Sequence, residues 1–528
     1  MTRTRLFFLI GIGCLLGGIC LLMLDSAPAL AQREADYIGA SECASCHRSY
    51  ARQHDNSRHV LTLQEDSDAI LADFDQGEDA RQVQFPGEDA PRAFTANDVA
   101  YVVGTGRYVQ RYLYEVDRND YRVLPAEWDT VAGEWRPLTL AASWDDPAYD
   151  WDQSCAYCHV TGLNLERGRW EDDGVQCEAC HGPGEEHAEL ASDAGRRPDE
   201  EELAEIRAAI NPAVDPQTCG QCHSRGTNPD NLPFPATYLP GEVLADHFTL
   251  VTLEETDHWW VTGHARQMNM QYNEWMNSAH ATSLTTLRDS QAADDSCLTC
   301  HSADYAYTAR LTAAVEAGNR EGAAPPAATL ENAQYGVTCS SCHNPHTESG
   351  LEANMVQPAY SLCISCHSNS GVQEGIHHPV REMFEGTRII STINPETGVH
   401  FITDGGPTCT TCHAASVPVD SGIRVSHGLN PITPGVVVTQ PMLEDSCSGC
   451  HGDEASPELL QKLIEDIQSN TRERIDTARA AVTAATPSWV TQALDFVEGD
   501  GSLGIHNYAY SDAVLDEVYE QLGLFPTP

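Results

Sequence analysis

The feature that most constrains this chain is a five-residue pattern, Cys-x-x-Cys-His, that recurs nine times. It stands at Cys43, Cys46 and His47; Cys155, Cys158 and His159; Cys177, Cys180 and His181; Cys219, Cys222 and His223; and Cys297, Cys300 and His301. It continues at Cys339, Cys342 and His343; Cys363, Cys366 and His367; Cys409, Cys412 and His413; and Cys447, Cys450 and His451. Of the 20 cysteines only Cys14 and Cys20, in the apolar N-terminal run, fall outside it. Two thiols three residues apart share one local turn and can reach the two vinyl groups of one haem, while the adjacent imidazole faces the iron. Zinc would not require a histidine after every second cysteine, and disulfides would not require the fixed spacing. The pattern implies nine covalently attached haem c groups, each with one motif histidine on its iron.

The histidine count then bears on the sixth ligand. Of 22 histidines, nine belong to motifs and 13 are spare. Candidates for the second axial position are His59, His187, His264, His280, His346, His377, His378, His427 and His506; His54, His247, His258 and His400 rank below them. Past residue 31 the chain has Met268, Met270, Met276, Met355, Met383 and Met442, which read as packing residues. Irons held by two imidazoles have low potentials and little affinity for an outside ligand. No catalytic residue is assigned.

Charge and the N-terminus bound the surroundings. With 78 acidic against 30 basic residues the net charge is −48, which argues against nucleic acid or an anionic membrane as partner; it reads as a solvated acidic surface that keeps the protein soluble, with steering of a basic redox partner as the alternative. Arg3 and Arg5, the apolar run Leu6 to Leu24 and the small residues around Ala29 and Ala31 form an export signal over 1–31, with an uncleaved anchor as the alternative. The protein is therefore read as exported, periplasmic or extracellular.

The two long gaps between motifs, after His47 and after His223, divide the remainder. The expected units are a tetrahaem domain over 32–250, a pentahaem domain over 251–455 and a helical tail over 456–528. The fold class is mainly α with extensive loops organised around covalent haems, plus a small β insertion in the N-terminal half. Strands are expected at Tyr101 to Gly104, Tyr108 to Val116 and Tyr121 to Leu124, and surface excursions at 64–92 and 184–216. Ser456 as N-cap and Pro457 at the first helical position start a helix whose stripe is Leu459, Leu460, Leu463, Ile464 and Ile467, with Pro487 ending it. Aromatic residues are only 7% of the chain, so haems are expected to supply much of the interior, and the chain without them is not expected to fold.

Tyr37 to Glu42 before the first motif, and Gly174-Val175-Gln176 before Cys177 with Gly182-Pro183-Gly184 after His181, resemble the cytochrome c-554 family. The second part is similar to the core shared by pentahaem nitrite reductases and octahaem hydroxylamine oxidoreductases. The residues that carry this are Gln271 to Trp275 with Ser278 and His280, Gly336-Val337-Thr338, Asn344-Pro345-His346, His377-His378-Pro379 and Gly504 to Tyr508. That resemblance implies a haem ligand at His506. Nitrite reductases usually carry lysine at the catalytic haem, whereas all nine motifs here end in histidine and the sole lysine is Lys462. The favoured reading is an electron carrier between a quinol-oxidising membrane complex or small cytochrome and a terminal acceptor. The alternatives are an oxidoreductase acting on nitrite, hydroxylamine or a similar nitrogen or sulfur compound at one open haem in the C-terminal five, and a homo-oligomeric extracellular filament.

Overall fold

The computed structural model describes residues 37–65, 67–318, 324–346, 351–369, 375–390, 393–402, 406–420 and 422–525. The expected export signal lies outside them. Among the described residues no helix is long and apolar enough to cross a membrane.

Cysteines three apart belong on one helical turn, where positions i and i+3 share a face. Most motifs accordingly begin or occupy a single turn, as at Cys177–His181 and Cys409–His413. Thr338 and Thr408 cap two of these turns with reciprocal side-chain bonds to Ser341 and Thr411. Such short turns have no core of their own. They are held by loops, by helices elsewhere in the chain and by two apolar clusters that lie apart from most motifs.

The first cluster is the β insertion. Strands β1 (Leu63–Gln64), β2 (Tyr101–Val103), β3 (Val109–Asp117), β4 (Asp120–Val123), β5 (Ala126–Asp129) and β6 (Glu134–Pro137) pair antiparallel in the order β1-β2-β3-β5-β6, with β4 also on β3. Val102 stands opposite Tyr112, and Leu113 opposite Val123. Asn119 takes the positive φ of 61° that the two-residue turn between β3 and β4 requires, a conformation asparagine tolerates. The three expected strands are present, and two more follow them. Residues 64–92 are not the surface excursion expected: Val83 and Phe85 are buried, and Phe74 meets Phe94, Tyr112 and Trp135 edge-on. The acidic residues of that segment face outward while its interleaved apolar ones cover the sheet. Its average composition hides that alternation.

The second cluster is the tail, made of α1 (Pro457–Ala481), α2 (Ser488–Gly499) and α3 (Tyr508–Leu522). Ser456 Oγ accepts from Leu459 N, as an N-cap should. The helix stops at Ala481, ahead of Pro487, which instead caps α2. The expected stripe is also corrected: Leu459 and Leu463 are 57% and 53% exposed, and the buried face runs through Leu460, Thr471, Ile475 and Ala478. The first turns of α1 pack on the short helix Pro434–Val437, where Gly435 N donates to Gln461 Oε1. Val490, Leu494, Phe496, Tyr510, Val514 and Val518 close on Met383, Ile390 and Ile393, which fastens the tail to the segment between the seventh and eighth motifs.

Phe496 is fully buried in this cluster. Replacing it by alanine is expected to lower the stability of the tail by about 3–5 kcal/mol, read as a fall in the denaturation midpoint followed by helical circular dichroism. A loss below about 1 kcal/mol would show that the cluster does not hold the tail.

Candidate functional site

Residues of the first seven motifs, with Thr410 of the eighth, line one continuous cavity of 4210 Å³. An ordinary small-molecule pocket is about 300–1,000 Å³, so this space suits several large groups. The motif cysteines form no disulfides. Burial pushes the Cys155, Cys180 and Cys342 thiols up to about 11. Thiols of different motifs approach one another: Cys43 and Cys177, Cys158 and Cys222, Cys219 and Cys339, Cys300 and Cys366, and Cys363 and Cys409. Cys412 and Cys450 are close enough to interact electrostatically, as are Cys342 and Cys366. Cys180 of the third motif is likewise close to Cys219 and Cys222 of the fourth, and together these contacts make the nine motifs one connected set.

The imidazoles are organised in facing pairs. Two imidazoles bonded to opposite sides of one iron, each at about 2 Å, would have ring centres about 6 Å apart. His47 and His187 are 6.1 Å apart, His223 and His59 6.2 Å, and His181 and His346 5.8 Å. His343 faces His427 at 6.2 Å, His413 faces His506 at 6.2 Å, and His451 faces His400 at 6.2 Å. His367 stands 6.0 Å from His280 and 6.2 Å from His378. His301 is 6.2 Å from His377 and 6.1 Å from His378, so two motif histidines share three candidates. Among the described residues, His301, His377 and His378 are also the one group of three or more metal-binding side chains whose donor atoms converge.

Ring orientation is set from behind. His159, His181, His301, His343 and His413 each place Nδ1 against a backbone carbonyl, those of Thr62, Asn211, Ser283, Ala353 and Leu429. His187 does the same with Ile206, at 2.8 Å. An Nδ1–H donated to a carbonyl leaves Nε2 as the lone-pair donor, the tautomer a metal ligand needs. Burial holds His59, His159, His346, His378 and His427 near about 4, so these rings are neutral. His506 differs: its Nδ1 meets the carboxylate of Asp500 at 2.7 Å.

Several expected residues are not brought into pairs. His264 spends both ring nitrogens on Thr262 Oγ1 and the Asn430 carbonyl, at 2.7 and 3.0 Å. His54 bonds the Val175 carbonyl, and His247 bonds Thr237 and Glu242. His400, ranked low by sequence, faces His451; its partner belongs to a distant motif, and nothing adjacent to it signals the pairing. Asp500 was not anticipated either. Among the described residues, His159 has no second imidazole in its neighbourhood and packs against the Trp151 ring at 5.8 Å. The buried Trp151 Nε1 has no hydrogen-bond partner. Such an orphaned donor fits a group with acceptor oxygens beside the second motif. The residues present thus fit haem at the motifs, with paired thiols and a lone-pair nitrogen at each.

The sequence signature described as "Cytochrome c554 and c-prime" matches residues 137–182, and that described as "Doubled CXXCH motif" matches residues 332–371. Among curated proteins none matches in sequence. Of solved structures, the "Outer Cell Wall Cytochrome OcwA" is similar over 92% of this chain and 99% of its own, at 29% identity and a TM-score of 0.74. An undecaheme cytochrome from the S-layer of Carboxydothermus ferrireducens shares the fold over 95% of this chain and 71% of its own, at 20% identity and a TM-score of 0.57.

One glycine tests the ring geometry. Gly174 has φ +74°, and a Cβ there would lie 2.0 Å from the Val60 carbonyl oxygen. Val175 N also donates to the His59 carbonyl, at 2.9 Å. Gly174→Ala is expected to push His59 away from His223 and to add about one high-spin haem per chain in the electron paramagnetic resonance (EPR) spectrum. An unchanged spectrum would show that this close approach does not position His59.

Proposed function

We propose that this chain, a multihaem c-type cytochrome, carries nine haems in one connected row and passes electrons from a donor protein to an acceptor at the cell surface. The observation that carries the reading is the set of facing imidazoles at eight of the nine motifs. Two strong-field ligands per iron leave no position for substrate and favour electron transfer without bond chemistry. Haem supplies a one-electron ferric–ferrous couple; the protein supplies axial ligands, burial and spacing.

The ligand set proposed is His187 for the first motif, His346 for the third, His59 for the fourth and His377 or His378 for the fifth. His427 serves the sixth, His280 the seventh, His506 the eighth and His400 the ninth. The thiol contacts support a row running from the first motif through the third, fourth, sixth, seventh and eighth to the ninth. The second branches from the fourth, and the fifth from the seventh. Every neighbour is then adjacent through cysteine contacts, which suits rapid hopping. The acidic surface favours a basic partner, a quinol-oxidising complex or small cytochrome, through complementary charge. The export pattern of residues 1–31 and the likeness to a protein named as an outer cell wall cytochrome support a place outside the cytoplasmic membrane. A pyridine haemochrome assay is expected to give nine haems per chain; a clearly lower number would sink the motif assignment.

The lone His159 favours a second reading beside the first, small-ligand chemistry at one iron. The position falls in the N-terminal part rather than in the C-terminal five motifs, where the resemblance to enzymes lies. Carbon monoxide added to the fully reduced protein is expected to bind about one haem per chain. His159→Met is expected to shift the C–O stretching band, because the ligand opposite would change. No binding would leave electron transfer as the sole activity.

A further inference from the structure

The eighth motif differs from the others in what stands behind its facing ring. His506 Nδ1 lies 2.7 Å from Asp500 Oδ1, and the Asp500 side chain is 0% exposed. The other ring nitrogens held from behind in the pairs, those of His181, His187, His301, His343 and His413, meet neutral backbone carbonyls. Asp500 also sits where a carboxylate is disfavoured, at the C-cap of α2, the negative end of the helix dipole. It is kept there by three donors: Ser502 N at 3.3 Å, Ser502 Oγ and the imidazole of His506. Ser502 Oγ in turn accepts from His506 N at 3.0 Å, so the carboxylate, the serine and the histidine form one closed unit.

A buried carboxylate that accepts the Nδ1–H of an iron-bound imidazole draws the proton toward itself. The ring then carries more negative charge at Nε2 and stabilises ferric over ferrous iron. The effect is weakly screened because the carboxylate is out of solvent. We propose that Asp500 is a positioning residue that fixes His506 and holds the haem of Cys409, Cys412 and His413 at a lower reduction potential than the haems whose histidines lean on carbonyls. The proposal rests on the pairing of His413 with His506 given above. Cys409 touches the seventh motif through Cys363, and Cys412 lies near Cys450 of the ninth. The low-potential station therefore stands between the ninth motif and the rest of the row, and it separates the charge held on either side.

The test is a potentiometric titration of the holoprotein followed by optical and EPR spectra. Asp500→Asn is expected to raise one haem of nine, increasing its ferrous-to-ferric ratio at fixed potential about tenfold, or about 59 mV for a one-electron couple. Its low-spin signal should persist, the other eight should stay in place, and Asp500→Glu should restore the lower potential. An intact low-spin spectrum with no shifted haem, or an equal shift of all nine, overturns the proposal. If Asp500→Asn does not assemble, Ser502→Ala removes a competing donor from the carboxylate and should move the same haem downward; no movement overturns the proposal as well. His506→Ala keeps the two readings apart. It should convert one haem to high spin, and failure to do so refutes the pairing whatever the Asp500 variants show.

Discussion

The structure depends on the opposition of imidazoles across gaps about as wide as one metal ion with its two bonds. His59 precedes the second motif yet faces His223 of the fourth, and His506 of the tail reaches back to His413. Each such pair brings distant segments of the chain face to face. The one-turn motif helices, the loops between them and the large cavity follow from that requirement. Conventional apolar packing is concentrated elsewhere, in the aromatic sheet after the first motif and in the helices after the last. In the proposed assignment, covalent attachment and metal bonds would organise the interior that the motifs line.

The scarcity of aromatic residues takes on meaning in that arrangement. Phe74, Phe85, Phe94, Tyr112, Trp128 and Trp135 are gathered in the one region that must bury its strands with side chains alone. Near the motifs haem faces would share that work with smaller aromatic pairs, as with Tyr157 stacked on Phe234 at 5.1 Å.

What could be read from the sequence was whatever local spacing determines. The nine motifs, the Ser456–Pro457 helix start and the alternation of the β insertion all depend on neighbours within a few residues. Pairing does not. In sequence His264 ranks above His400, but a tight turn returns the His264 carbonyl to Trp260 N and gives its ring to Thr262 and Asn430. His400 arrives opposite His451 because the chain between the seventh and eighth motifs folds back toward the tail. Residues 64–92 misled for a related reason, since average acidity says nothing about which face each residue presents. Asp500 looked like one acid among 78 until its place behind His506 was known.

The carbonyls that orient the other rings have a consequence of their own. Every residue type presents the same main-chain oxygen, so random substitution at Thr62, Asn211, Ile206, Ser283, Ala353 or Leu429 leaves the acceptor in place. Under the proposed ligand set, any redox property that those acceptors set would be buffered against genetic drift. Tuning by a single codon would then act at Asp500, where a side chain stands in the backbone's place.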